Sequence, residues 1–266
     1  MTWAATDITV TFGSTTALDR VSITIEPGVI HSVIGGDGAG KTTLLKVLAG
    51  LDVGQRGTVR MPPPSDIGYV PSTGGIFGDL TVAENVEFVA EVYGIRKWRA
   101  RANGLLERAA ISEFSTRIAA HLSGGQRRKL AGVMALLHHP ALLVLDELTT
   151  GVDPVSRMEL WRLIAGAAAE DAAVVTSTSY LDEAERAESV LLLHEGRPLG
   201  AGSPSSIIGQ VPGSIIDCAQ PTNRPMAWRR GNRWRQWDPD GTPQPGRMSL
   251  EDAAIVLELS SEATIK

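Results

Sequence analysis

The chain has one cysteine in 266 residues, Cys218, which excludes an internal disulfide and any cysteine-based metal cluster and fits a reducing compartment. It also lacks long apolar runs. The longest, at 141–145 and 190–193, fall far short of the roughly 18 residues that cross a bilayer, and residues 1–10 show no basic, apolar leader pattern. These absences predict a chain made and kept in the cytoplasm. Basic residues are not in excess: 25 Lys and Arg face 30 Asp and Glu, so a net charge of −5 gives no general pull towards nucleic acid. Glutamine and histidine are both missing from 66–90, and histidine is missing from 171–190.

What is present is an ample core composition, 43% hydrophobic, enough for one large α/β domain with or without an appendage. Short strand-like runs at 23–25, 29–34, 141–145, 173–175 and 190–193 alternate with helical patterns, the rhythm of a largely parallel sheet with covering helices. Between about 82 and 138 the pattern turns mostly helical and reads as an insertion. After Gly200 the stretches "GAGSPSS", "QPTNRP" and "DPDGTPQPG" break the chain with Pro and Gly, so the expected division is a domain over 1–205 and a small appendage over 206–266.

The strongest local signal is "VIHSVIGGDGAGKTTLLKVLAG", in which Gly35, Gly40, Lys41 and Thr42 satisfy G-x-x-x-x-G-K-[ST] between an apolar strand and a helix. Such a loop, here Gly35, Gly36, Asp37, Gly38, Ala39, Gly40, Lys41, Thr42 and Thr43, turns backbone N–H groups towards phosphate oxygens at a positive helix end. Lys41 reaches the terminal phosphates and the Thr42 hydroxyl can ligate Mg²⁺. Gly50 is a natural stop for that helix. The plain alternative, a glycine-rich turn, does not account for the flanks.

Two further motifs follow in order, "HLSGGQRRKL" at 121–130 and "ALLVLDELTTGVDP" at 141–154. Two carboxylates ending so apolar a strand have little structural use unless something cationic sits there, and Mg²⁺ prefers such oxygen ligands. With the P-loop, these motifs closely resemble the ATP-binding cassette family, the nucleotide-binding subunits of ABC transporters, over roughly residues 5 to 205. The resemblance implies a P-loop α/β cassette, with a mostly parallel core sheet, an antiparallel β part and a helical subdomain, that binds ATP and Mg²⁺. It implies that Ser123, Gly124, Gly125 and Gln126 contact the γ-phosphate held by a second cassette. Asp146 would hold Mg²⁺ through water, Glu147 would polarise the attacking water, and Asp153 would lie on the loop crossing to the partner. Phe12 stands where the family carries an adenine-stacking aromatic, with a core position as its alternative role.

The departures from the family pattern carry as much information. Ser72 stands in the place of the glutamine after "GYxP", Ser179 in the place of the histidine that meets the γ-phosphate, and Leu148 in that of a proline. No shift of alignment restores the first two groups, since neither segment holds a substitute. Serine is shorter, so its direct contact needs a backbone shift or a bridging water. The expectation is a site that binds ATP and cleaves it slowly, with an intact LSGGQ serving a different, fully equipped cassette. A heterodimer is favoured and a slow homodimer is the alternative, acting with a transmembrane permease subunit at the inner face of the membrane. Similarity of 93–154 and of "MSLEDAAIVLEL" to drug-resistance-type exporter cassettes favours export, although Ala254 replaces the phenylalanine of the latter segment. The rivals are a non-hydrolysing regulatory cassette and a soluble non-transport member.

Two basic stretches need no ligand. Arg96, Lys97, Arg99 and Arg101 read as a solvated helix face. In "MAWRRGNRWRQW" a Gly231-Asn232 hairpin would set Arg230 opposite Arg233, Trp228 opposite Arg235 and Met226 opposite Trp237, with cation–π packing rather than nucleic acid binding.

Overall fold

The computed structural model describes residues 2–242 and 248–265. The chain opens with a hairpin of β1 (Trp3–Phe12) and β2 (Thr15–Ile25), passes through β3 (Ile30–Ile34) into α1 (Lys41–Leu48), and returns in β4 (Arg56–Arg60) to pair with β1. Next come β5 (Ile67–Val70), the helices α2 (Val82–Val92), α3 (Trp98–Arg108) and α4 (Gly124–Leu136), and then β6 (Leu142–Asp146) and α5 (Pro154–Ala169). Beyond them lie β7 (Ala173–Thr178), the single turn α6 (Leu181–Ala184), β8 (Ser189–His194), β9 (Arg197–Gly202) and α7 (Pro204–Gln210). The C-terminal part holds β10 (Ser214–Cys218), β11 (Ala227–Arg230), β12 (Arg233–Asp238) and α8 (Leu250–Ile265).

The central sheet runs β5-β6-β7-β3-β8-β9, parallel except for the last pair. Both of its faces are covered. Along β6, Leu142 and Val144 join the core that includes α1 and β1, while Leu143 and Leu145 join the core on the opposite face, as the two-residue period of a strand requires. The run at 23–25 departs from the parallel expectation: it ends β2 in the antiparallel sheet β2-β1-β4. Its Ile23–Ile25 alternation, half-buried and buried about an exposed Thr24, is that of a strand with one wet face.

The helical block is built as the sequence suggests. α2 starts with a capping box in which Thr81 and Glu84 satisfy each other's backbone N–H groups. Arg101 is not on a solvated face: its guanidinium donates to Leu136 O at 2.9 Å and pairs with Glu170 at 3.6 Å, tying α3 to α4 and α5. Arg99 does lie outside, over the Trp98 ring and beside Glu87.

The C-terminal sheet has the order β10-β12-β11. Trp228 pairs with Arg235 and Arg230 with Arg233 as expected, but Met226 sits in a 3₁₀ turn, Arg224–Met226, and Trp237 pairs with Ile215 instead. Pro225 favours that turn, because it offers no N–H to a ladder. Arg229 lies over the Trp234 ring in a cation–π contact, and Arg235 pairs with Asp217 and the buried Asp252. Ile207, Ile215, Trp237, Leu250, Ala253 and Val256 belong to the same apolar cluster as α4 and α5, so this segment shares a core with the rest of the chain. Residues 243–246 of "DPDGTPQPG" lie outside the described residues.

Candidate functional site

The β3–α1 loop gathers at the C-terminal edge of the sheet. Gly40 has φ +100°, and a Cβ there would stand 2.6 Å from Ala17 O; one on Gly35 would stand 2.2 Å from Leu193 O, so neither position admits a side chain. Among the described residues no side chain caps α1, which leaves its first N–H groups facing a cavity of about 180 Å³ lined by residues 37–43, Ala17 and Glu147. Lys41 is buried, and its three ammonium protons go to Gly35 O at 2.8 Å, Gly36 O at 3.0 Å and Ser179 Oγ at 3.2 Å, with Glu147 Oε1 at 3.8 Å. A phosphate entering the cavity exchanges for part of this shell. The short Ser179 side chain thus reaches the P-loop lysine without a bridging water.

Asp146 ends β6 fully buried. Its Oδ1 accepts from Ser177 Oγ at 2.7 Å, and its Oδ2 has no partner among the described residues. A buried carboxylate oxygen left open one residue before Glu147, which lines the P-loop cavity, fits a hard cation such as Mg²⁺, commonly held by one or two protein oxygens and the substrate's phosphates. The same charge, after burial, pushes the nearby Tyr69 phenol up to about 12. Glu147 takes a left-handed φ of 52°, held by its N–H to Ser177 Oγ at 3.0 Å, which turns its carboxylate towards Lys41. Phe12 is 53% exposed at the end of β1, which rules out its alternative role as a core residue. Ser72 is half-buried just beyond β5.

The signature segment lies elsewhere. Ser123 caps α4 in a reciprocal box with Gln126: Gln126 N donates to Ser123 Oγ at 3.2 Å and Ser123 N donates to Gln126 Oε1 at 2.9 Å. Gly125 lets α4 approach α5, since a Cβ there would meet Ser156 Oγ at 2.8 Å. Gly124 lines a separate cavity with Arg127, Arg128 and 150–152 that contains no P-loop residue. Asp153 caps α5, accepting from Val155 N and Ser156 N, bonds that hold its carboxyl below the usual range. One chain therefore presents two anion-ready helix ends that do not face a common cavity.

A family model described as ABC transporter matches residues 18–150, half the chain, across both of these helix ends. The chain belongs to the ABC transporter family. The cassette is 34% identical over 260 residues to the probable multidrug ABC transporter ATP-binding protein YbhF of Escherichia coli (strain K12), covering 93% of this chain and 44% of that one. It is 32% identical over 210 residues to the Nod factor export ATP-binding protein I of Paraburkholderia xenovorans (strain LB400), covering 74% and 69%. The chain thus spans less than half the length of the E. coli relative. Among solved structures, an ATP-binding subunit of an ABC transporter superposes with a TM-score of 0.72 at 27% identity, covering 79% of this chain and 93% of that one. A dimeric bacterial ABC transporter cassette superposes at 0.68 and 24% identity, covering 76% and 98%, which supports the fold alone.

Ser177, Thr149, Thr178 and Glu183 were not singled out by motif, yet all four are buried and polar. The available signal was "TST" at the end of β7: hydroxyls in a strand that packs on both faces need partners, and Ser177 finds Asp146 and the Glu147 N–H while Thr178 finds Glu183.

Proposed function

We propose that this cassette binds Mg-ATP at 35–43 with Asp146 and Glu147, and powers a transporter, of exporter type, by pairing head-to-tail with a second cassette. The observation that carries this reading is the separation of the two helix ends: the α1 end faces a cavity that Lys41 and Glu147 border, while the end capped by Ser123 faces outward from a different one. A second chain supplies what each lacks. Lys41 and the α1 N–H groups bind the β- and γ-phosphates, Phe12 offers a face to the base, and Thr42 and Asp146 hold Mg²⁺, which supplies charge neutralisation on the phosphates. Glu147 orients and polarises the attacking water and accepts its proton as the water attacks.

Hydrolysis at this chain's own half-site is weakened, because Ser72 and Ser179 replace longer groups that would position water and γ-phosphate. A heterodimer with a fully equipped cassette is the favoured assembly. The permease subunit has a ready surface in the apolar hollow between β5 and the helical block, of about 230 Å³, rimmed by the exposed Phe77, Phe88, Val92 and Tyr93. No helix among the described residues is long and apolar enough to cross a membrane. The deciding experiment is a titration of the purified chain with a fluorescent ATP analogue and Mg²⁺, followed by turnover alone and with the permease and second cassette. Absence of saturable binding overturns the reading.

A further inference from the structure

The carboxylate of Glu183 is 1% exposed, on the single-turn helix α6, and does not line the P-loop cavity. It nevertheless collects groups from three segments beside that cavity's acidic wall: the one after Glu147, the start of α5 and the end of β7. Thr149 Oγ1, two residues after Glu147, donates to its Oε2 at 2.6 Å. Thr178 Oγ1 donates to the same oxygen at 3.0 Å and itself accepts from Tyr180 N at 3.0 Å, which fixes the backbone on both sides of Ser179. Arg157 Nε, one turn into the helix that Asp153 caps, lies 3.3 Å from Oε1, with its guanidinium over the Tyr180 ring. A buried carboxylate is retained at considerable desolvation cost only where such partners compensate it.

We infer that Glu183 is a positioning residue for ATP hydrolysis: it locks the Glu147–Asp153 segment to the Thr178–Tyr180 segment, so that Glu147 and Ser179 keep one fixed separation across Lys41. The inference rests on the ATPase reading proposed above. With the lock in place, movement of the partner-facing Asp153 is transmitted through Arg157 and Thr149 to the backbone carrying Glu147. Without it, the two segments shift independently while the phosphate cradle on α1 stays intact. The consequence is specific: turnover falls and affinity does not.

The test uses the full chain, single-turnover cleavage of γ-labelled ATP, equilibrium binding of a fluorescent ATP analogue, and thermal melting. Glu183→Gln keeps the shape but sets an amide N–H₂ against Arg157 or the threonines. It is expected to slow cleavage about tenfold, as misplacement of a reacting group does, with ATP affinity within about twofold of wild type. Thr149→Val, nearly isosteric, is expected to act in the same direction, and the double variant to be no slower than Glu183→Gln alone, since the groups act as one unit. Wild-type cleavage by Glu183→Gln, a loss that tracks only the unfolded fraction, or multiplicative losses in the double variant would each overturn the inference while leaving the ATPase reading intact. If Glu183→Gln does not fold, Thr149→Val alone decides, by the same split between cleavage and affinity. A wild-type chain that neither binds nor cleaves ATP overturns both.

Discussion

The N-termini of α1 and α4 are built on opposite plans. α1 begins at a glycine with φ +100°, has no side-chain cap, and turns its N–H groups into a cavity walled by the loop that precedes it. α4 begins with a serine whose hydroxyl is already engaged by its own helix, in a box closed by Gln126. Both ends attract an anion through the helix dipole. The first has nothing to give up at its backbone and gathers a phosphate from the loop, the buried lysine and the open N–H groups at once. The second must loosen a cap that contributes about 1 kcal/mol before its hydroxyl can turn to a ligand. In the head-to-tail pairing proposed above, this difference would have nucleotide held first at α1 and α4 of another chain joining afterwards.

Lys41→Ala attacks the first end and should have the largest effect. Removing a buried, charge-assisted donor worth about 1.5–3 kcal/mol predicts a loss of ATP affinity approaching 10²-fold, read by fluorescence titration. Unchanged affinity would mean that the α1 end is not where phosphate sits.

Next in size is the contrast between Ser123→Arg and Glu147→Gln in the assembled transporter under saturating ATP. Ser123→Arg blocks the α4 end that serves the partner's nucleotide and is expected to remove at least about nine-tenths of turnover, a tenfold loss of the kind that follows removal of one positioned group. If this half-site is slowed by Ser72 and Ser179 as proposed, Glu147→Gln disables only the slower site, and its loss should be several-fold smaller. Equal losses would show the two sites to be equivalent and the asymmetric pairing wrong.

Restoring the α1 half-site gives a gain of similar or smaller size. Ser72→Gln with Ser179→His is expected to raise single-chain turnover about tenfold, because each supplies a group long enough to reach the water or the γ-phosphate. The contact between Ser179 Oγ and Lys41 at 3.2 Å shows that position 179 already faces the lysine, so a longer side chain there has the right direction. No gain in steady-state rate from the double variant would count against the impairment argument.

Much of this was legible in the sequence, for physical reasons. The P-loop, the signature and the acidic strand end each constrain backbone and chemistry locally, and α1, α4 and β6 follow them directly. The parallel strands β3, β6, β7 and β8 were visible through apolar runs that reflect burial on both faces, whereas the four-residue β5, with Gly68 and Tyr69 in its middle, was missed. The antiparallel β1, β2 and β4 were largely invisible, since Thr, Asp and Arg alternate along their wet face and mimic loop composition. The Glu183 lock could not be read, because it joins residues 149, 157, 178 and 183 through a fold that no local spacing reveals. Arg101 misled for the same reason: its partners, Leu136 and Glu170, lie 35 and 69 positions away.

The smallest expected effect concerns a buried histidine on β3, the strand that leads into the P-loop. His31, 4% exposed on β3, accepts the Glu26 N–H on its Nε2 at 3.1 Å and must be neutral at that nitrogen to do so. Burial pushes its pKa below the ordinary 6.5, opposed by the charges of Glu26 and Glu188. A histidine whose folded pKa is depressed contributes stability that is fully present above its unfolded value and is lost as pH falls from about 6.5 through the folded value, because the unfolded chain takes up the proton first. The melting temperature should therefore drop between pH 7.5 and 5.5, and His31→Gln, whose amide oxygen can also accept from Glu26, should flatten that dependence. The comparison with wild type isolates His31 from His138, which burial also pushes down. A pH dependence left intact in His31→Gln would place the proton-sensitive group elsewhere than at His31.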